Sequence, residues 1–215
     1  MSLDQRRPIT YLVTSGRTTP QTTPRSPEFF SLLKLIEAAV SAGVSLVQLR
    51  EKALSTRVLQ ELASNAVELT RNTQTRLLIN ERFDVAWAVE ADGVQLTSQS
   101  MPVDVVRRTV GKDFLIGVST HSLPEAVEAK DRGAEFVLFG PVYETESKRA
   151  FGPPQGVDLL RQVVRELAGF PVIAIGGVNR SNAGACLAAG AAGVAAISMF
   201  EDPDALAQIV GAIMQ

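Results

Sequence analysis

The sequence alternates regularly between short apolar, β-branched runs and longer segments with helical periodicity, and this alternation constrains the fold more than any other feature. Such alternation is typical of parallel βα units rather than of β-hairpins. Eight units can be counted along the chain. The predicted strands span residues 10–13, 45–49, 76–79, 93–96, 115–118, 136–139, 172–175 and 193–197. The predicted helices span residues 29–41, 57–71, 83–89, 103–109, 124–132, 157–167, 181–189 and 203–214.

A series of eight βα units favours closure into a barrel. An open doubly wound sheet usually has fewer strands and carries a glycine fingerprint after the first one. Neither a G-x-G-x-x-G nor a Walker sequence follows any predicted strand here. Gly43, Gly133 and Gly190 lie just past the ends of predicted helices, where a left-handed cap is common. We therefore predict an α/β fold, a (β/α)8 TIM barrel, as one domain over residues 1–215 with residues 1–8 as a flexible N-terminus.

Composition and charge narrow the classes of function. Hydrophobic residues make up 46% of the chain, charged residues 20%, and the net charge is −2, which is the profile of a soluble globular protein. Such a balance gives no electrostatic reason to expect binding to nucleic acid or to a membrane surface. The apolar run after Arg6 and Arg7 is too short for a signal peptide, so we expect a cytoplasmic protein. The single cysteine, Cys186, lies in an alanine-rich run and is expected to be a small buried hydrophobe.

Two turns, after predicted strands seven and eight, carry residues suited to a phosphate. Gly176 and Gly177 follow the seventh strand, and Ile197 and Ser198 come at the end of the eighth. In many barrels the loops after these two strands bind phosphate through backbone amides. The alternative is that the glycines only allow tight turns. If the phosphate hypothesis holds, bulk at Gly177 is expected to displace the ligand and leave the fold intact.

The end of the second strand presents polar side chains at the predicted barrel mouth. Gln48, Arg50 and Lys52 are spaced by two residues and are expected to share a face. A buried Gln48 needs a hydrogen-bond partner, and the two cations suit a phosphate, a diphosphate or a carboxylate. A structural ion pair is the alternative for the cations. Asn80 and Glu81 follow the third strand and are candidates for orienting a substrate, or for holding a metal through water.

The only histidine, His121, directly follows the fifth predicted strand. The next residues, Ser122 to Glu125, have the spacing of a capping box, which would hold the histidine on a fixed turn. Histidine side chains commonly exchange protons near neutral pH, so His121 is a candidate proton carrier, with a purely structural role equally open. The longest internal loop, residues 143–156, follows the sixth strand, contains Lys148 and is predicted to be a mobile lid.

The sequence resembles thiamin-phosphate synthases over nearly its whole length. The resemblance lies in Tyr-Leu-Val-Thr at 11–14, Val-Gln-Leu-Arg-Glu-Lys at 47–52, Leu-Ile-Asn at 78–80, Ala-Asp-Gly-Val at 91–94, Gly-Val-Ser-Thr-His-Ser at 117–122, Phe-Gly-Pro-Val at 139–142 and Ile-Gly-Gly-Val at 175–178. It implies the (β/α)8 barrel, a homodimer, and substrate contacts from Ser119 and Lys148 as well as from the residues already singled out.

The chain departs from the synthase pattern where that family binds magnesium and the pyrimidine diphosphate. The family has an Asn-Asp pair after strand three and a further Asp after strand four, whereas this chain has Asn80-Glu81 and Ser100. Gln95 stands where the family has a histidine near the pyrimidine. A hydroxyl is a poor replacement for a carboxylate, because magnesium prefers charged oxygen ligands. The thiazole-phosphate half is kept in Gly176, Gly177, Ile197, Ser198, Arg50, Lys52 and His121.

This combination resembles the thiazole tautomerase (TenI-like) branch of the superfamily. The resemblance implies an isomerase of thiamin biosynthesis that aromatises a carboxythiazole phosphate by moving a proton through His121, without a metal or another cofactor. One alternative is a thiamin-phosphate synthase, a transferase that uses magnesium to join hydroxymethylpyrimidine diphosphate to thiazole phosphate. A second alternative is a non-catalytic protein that binds thiazole phosphate or regulates through it.

Overall fold

The protein folds as a single-domain (β/α)8 barrel in a computed structural model, which describes residues 3, 6–145 and 153–214. Eight parallel strands close in sequence order, and β1 pairs with β8 to complete the ring. The strands are β1 Ile9–Val13, β2 Leu46–Leu49, β3 Arg76–Asn80, β4 Gly93–Leu96, β5 Leu115–Thr120, β6 Phe136–Phe139, β7 Val172–Ala174 and β8 Gly193–Ala196. The helices are α1 Pro27–Ser41, α2 Thr56–Thr70, α3 Phe83–Ala88, α4 Val103–Thr109, α5 Leu123–Asp131, α6 Gly156–Glu166, α7 Ala183–Ala188 and α8 Leu206–Ile213.

The predicted architecture and the order of its elements are confirmed, and the bounds differ by a few residues. Two 3₁₀ helices, Ser198–Phe200 and Pro203–Ala205, precede α8, so this helix begins later than predicted. Helix α7 also begins later, because the side chain of Asn182 accepts a hydrogen bond from the Asn179 amide and holds a turn there. The caps predicted at Gly43, Gly133 and Gly190 have φ of 75°, 96° and 94°.

Side-chain alternation along the strands divides the apolar core into two layers. Residues pointing into the barrel form a small inner cluster that includes Tyr11, Leu46, Leu78 and Phe136. Residues pointing outward meet the helices in a much larger cluster. Cys186 is buried in the outer cluster, as predicted, and burial raises the pKa of its thiol. Within the described residues, no helix is long and apolar enough to cross a membrane.

Two of the sequence predictions fall on residues outside the described ranges. The N-terminal segment 1–8 is described only at residues 3 and 6–8, and the loop 143–156 only at 143–145 and 153–156. Lys148 lies outside the described residues. The ends of the loop are tied together, since the amide of Gln155 donates to the carbonyl of Pro141 at 2.8 Å.

Candidate active site

A chain of hydrogen bonds crosses the interior of the barrel below its mouth. The Gln48 amide donates to the Tyr11 hydroxyl at 3.0 Å, and this hydroxyl donates to Gln95 Oε1 at 3.2 Å. Gln95 Nε2 in turn donates to Ser119 Oγ at 3.1 Å. Burial raises the pKa of Tyr11, so its hydroxyl stays protonated and serves as a donor. The prediction that a buried Gln48 must be paired is confirmed, and the chain links it to Ser119 near the carboxyl end of β5.

The cations after β2 separate into different environments. Strand β2 ends at Leu49, so Arg50 and Lys52 lie in the loop that follows it. Lys52 pairs with Glu81 at 3.0 Å, and its side chain is 54% exposed, so its ammonium also faces solvent. The structural ion pair that the sequence left open is therefore present at Lys52. Arg50 is partly buried, and its amide donates to the Thr14 hydroxyl at 2.8 Å.

Glu81 is the centre of a polar cluster between the ends of β3 and β4. Oε1 of Glu81 accepts from the Thr97 hydroxyl at 2.6 Å, and Oε2 accepts from Asn80 at 3.0 Å as well as from Lys52. Ser100 lies 3.2 Å from the Thr97 hydroxyl. Partial burial acts to raise the pKa of Glu81, but the hydrogen bonds from Thr97, Lys52 and Asn80 and the Lys52 charge outweigh it and lower the pKa. Thr97 was not among the predicted site residues, because only the fold brings its hydroxyl to Glu81.

Acidification is expected to remove the stability that ionised Glu81 contributes. The pKa of Glu81 lies below its ordinary value of 4.5, so the contribution is complete above that value and is lost as the pH falls through the lowered pKa. Glu81→Gln is expected to lower the free energy of unfolding by about 0.2–1 kcal/mol near neutral pH, and the difference should shrink towards zero in acid. Urea denaturation of the parent and of Glu81→Gln, from neutral pH into acid, measures this difference in stability. A difference that grows on acidification would contradict the lowered pKa of Glu81.

His121 is held at the mouth by two hydrogen bonds. Its Nδ1 contacts the carbonyl oxygen of Gly140, and its amide donates to Glu125 Oε2 at 2.8 Å. Because a carbonyl oxygen can only accept, Nδ1 carries a proton, and in the neutral form of the ring this leaves Nε2 as an acceptor. Ser122 caps α5 as predicted, by accepting from the Glu125 amide at 3.4 Å. Since the Glu125 carboxylate contacts the amide of His121, the cap also fixes the turn that carries the histidine.

The glycine turn after β7 adopts the conformation that only glycine reaches easily. Gly176 and Gly177 have φ of 92° and 64°. A Cβ atom on Gly177 would lie 2.5 Å from the carbonyl oxygen of Glu144, and one on Gly176 would lie 2.5 Å from the Cα of Pro141. The expectation that bulk at Gly177 would leave the fold intact is wrong, because a side chain there points into the backbone after β6. Its effect on a ligand stays a prediction.

The amides of the same turn suit an anion. Within the described part of the chain, the N–H groups of Gly176 and Gly177 donate to no backbone carbonyl. The residues that follow this turn, Asn179, Arg180 and Ser181, line an open cleft together with Ser198, and Met199, Ala205 and Ile209 form its apolar part. Ser198, predicted in the turn after strand eight, lines this cleft at the start of the 3₁₀ helix that follows β8. Arg180 was missed, although its place between a strand and a helix was a usable signal.

The chain is similar in sequence to proteins named for thiamine phosphate. The profile of a family described as thiamine monophosphate synthase matches residues 17–200. A putative thiamine-phosphate synthase of Geobacter sulfurreducens is 49% identical over 174 residues, which cover 80% of this chain and 81% of that protein. A thiamine-phosphate synthase of Clostridium novyi is 39% identical over 168 residues, which cover 78% of this chain and 82% of that protein.

A solved structure extends the similarity to the whole barrel. The thiamine phosphate pyrophosphorylase of Pyrococcus furiosus superposes with a TM-score of 0.78 at 32% identity, over 98% of this chain and 99% of that one. Two of these proteins are named thiamine-phosphate synthase, one of them as putative, and the third is named thiamine phosphate pyrophosphorylase. They give no support to the sequence-based preference for the thiazole tautomerase branch.

Proposed function

Because the chain belongs to the thiamine monophosphate synthase family, we propose that it is a thiamine-phosphate synthase. This transferase joins hydroxymethylpyrimidine diphosphate to thiazole phosphate and releases pyrophosphate. The observation that carries the proposal is that two separate anion-attracting regions border one barrel mouth. One consists of Arg50 and Lys52 after β2, and the other of the N–H groups of the glycine turn after β7 with the cleft that Arg180 and Ser198 line. Two regions suit a reaction in which both substrates carry phosphate.

Each region has its own task in the proposed reaction. The amides of Gly176 and Gly177 bind the thiazole phosphate, as the positive end of a backbone turn favours an anion. Arg50 and Lys52 hold the diphosphate and balance its charge as it leaves. Ser119 lies at the end of the hydrogen-bond chain from Tyr11 and orients the pyrimidine ring of the diphosphate substrate.

The Glu81 cluster fits a magnesium ion that is shared with a diphosphate. Magnesium commonly binds through one or two protein carboxylates, together with water and substrate phosphate oxygens. Glu81 would supply one carboxylate, whose Oε2 would exchange Lys52 for the ion, and the side-chain amide of Asn80 and the hydroxyl of Thr97 lie in the same cluster. When bound, the ion neutralises charge on the diphosphate. Because Ser100 stands in place of a second carboxylate, the cluster offers one protein carboxylate, the smallest number that commonly binds this ion.

Incubation with both substrates and magnesium is expected to yield thiamine phosphate and pyrophosphate in equal amounts. EDTA should stop the reaction, and added magnesium should restore it. Glu81→Gln keeps the shape of the side chain without its charge and should raise the magnesium concentration for half-maximal activity by about tenfold or more. Ser100→Asp should lower it. Pyrophosphate release at the same rate with and without EDTA would contradict the role given to Glu81.

A second candidate, a metal-independent thiazole tautomerase, is favoured by the geometry of His121. The ring is fixed through Nδ1 with Nε2 presented as an acceptor, which is the arrangement that a proton carrier needs. Incubation with the carboxythiazole phosphate tautomer alone, followed by the absorbance of the aromatic thiazole, tests this activity. Thiazole phosphate binding with neither activity would favour the ligand-binding or regulatory alternative. The thiazole phosphate partner and the homodimer stay predictions.

A further inference from the structure

A buried carboxylate lies between the two cations of the β2 loop and belongs to neither the magnesium cluster nor the proposed phosphate site. Glu51 is only 3% exposed, whereas its neighbour Arg50 is half-buried and Lys52 is exposed. Burial of an ionised carboxylate is costly unless its oxygens are hydrogen-bonded. The hydrogen-bond partners of Glu51 therefore indicate its structural role.

Both oxygens of Glu51 are directed at the loop between β1 and α1, residues 14–26. Oε1 accepts from the amide of Gly16 at 3.1 Å. Oε2 accepts from the amide of Thr18 at 3.3 Å and from the hydroxyl of Thr18 at 2.7 Å. Three donors of one loop converge on one side chain, and a carboxylate can accept from all of them at once.

The segment that Glu51 holds lies against Arg50. A Cβ atom on Gly16 would be 3.2 Å from the Arg50 carbonyl oxygen and 3.5 Å from a guanidinium nitrogen, and Gly16 has φ of 71°. The amide of Arg50 also donates to Thr14 of the same loop. The loop thus forms a wall for the Arg50 side chain, and the position of that wall depends on the Glu51 contacts.

We propose that Glu51 is a positioning residue, which holds the loop of residues 14–26 against Arg50 and so directs the guanidinium into the barrel mouth for anion binding. The binding role of Arg50 rests on the proposed function, whereas the attachment of the loop does not. Side-chain direction matters here because a guanidinium binds phosphate oxygens best when its planar donors are already aligned.

Limited trypsin digestion without any ligand tests the attachment of the loop. The Arg17 side chain is 75% exposed, so trypsin can recognise it. The backbone on either side is bound to Glu51 through Gly16 and Thr18, so cleavage after Arg17 requires the loop to detach. Glu51→Gln, which loses acceptor capacity, should speed this cleavage by about tenfold or more. Cleavage after Arg132, monitored in the same digest by mass spectrometry, should keep its parental rate. Unchanged cleavage after Arg17 would overturn the proposal.

Two further variants separate Glu51 from other contacts of the loop. Thr18→Val removes the 2.7 Å hydrogen bond with little change of shape and should give an intermediate rate, which keeps the test valid if Glu51→Gln fails to fold. Glu201→Gln removes only the surface ion pair of Arg17 and should leave the rate within about twofold of the parent. Faster cleavage in Glu201→Gln than in Thr18→Val would overturn the proposal.

Calorimetric titration with inorganic pyrophosphate tests the consequence for Arg50. Glu51→Gln should raise the Kd by about tenfold in the parent and leave it unchanged in an Arg50→Ala background, because Glu51 acts through Arg50. Equal effects in both backgrounds would overturn the proposal. A parent that does not bind pyrophosphate would instead overturn the diphosphate site of the proposed function, and the digestion would still decide whether Glu51 holds the loop.

Discussion

Replacing His121 with asparagine is expected to lower kcat for conversion of the carboxythiazole phosphate tautomer by about 10²–10⁴, if the protein has tautomerase activity. Asparagine keeps much of the size and hydrogen bonding of the ring but cannot carry a proton between substrate positions. The Gly140 carbonyl contacts the ring and the Glu125 carboxylate holds the backbone amide of His121, so we expect the histidine to act in the transition state rather than in substrate binding. The affinity for thiazole phosphate should therefore change much less than kcat. The absorbance of the aromatic thiazole measures the rate after the uncatalysed reaction is subtracted.

The same variant distinguishes the two candidate functions. Thiamine-phosphate formation gives His121 no proton to transfer in the proposed scheme, so His121→Asn should keep synthase activity within about tenfold. Glu125→Gln is the matched control, because it weakens the contact to the His121 amide without touching the imidazole. Its effect on tautomerisation should be much smaller. Parental kcat in His121→Asn would remove this histidine from the mechanism.

Gly177→Ala is expected to lower the free energy of unfolding by about 2–5 kcal/mol. The added Cβ would lie 2.5 Å from the Glu144 carbonyl oxygen and 2.8 Å from Cβ of Tyr143, and alanine is strained at a φ of 64°. For a chain of this size the change corresponds to a drop in Tm of about 5–15 °C. Calorimetric melting of both proteins measures it.

Gly43→Ala separates backbone strain from the steric clash. Gly43 has a similar φ of 75°, but a Cβ atom there has nothing within 4 Å. Alanine at this position should cost only the strain, about 1–2 kcal/mol. Equal losses in the two variants would show that the contact with residues 143 and 144 is unimportant for stability.

The architecture was predictable because each strand is a short apolar run with clear boundaries. The predicted strands 93–96 and 136–139 coincide with β4 and β6. Each is preceded by polar or small residues that end the helix before it, so local preference and burial agree. Helix α7 was predicted two residues too early, since periodicity does not reveal that Asn182 holds the preceding turn through its side chain.

The candidate site was only partly predictable, because several contacts depend on strand register. Gln48, Lys52 and Glu81 were all singled out, but the sequence did not show that Glu81 is the partner of Lys52. The link from Tyr11 to Gln95 joins strands that are not neighbours in the barrel. The direction of a Cβ atom on Gly177 could not be foreseen either, since it depends on how the chain after β6 approaches the turn.

The pairing of β1 with β8 has a consequence for synthesis of the chain. Ile9 lies opposite Gly193. One edge of β1, the first strand of the barrel, therefore stays unpaired until β8, the last strand, has been made. A nascent or truncated chain that ends before β8 exposes the free edges of β1 and β7, and unpaired edges of this kind promote association between chains. Correct assembly of the newly made barrel therefore depends on synthesis through β8.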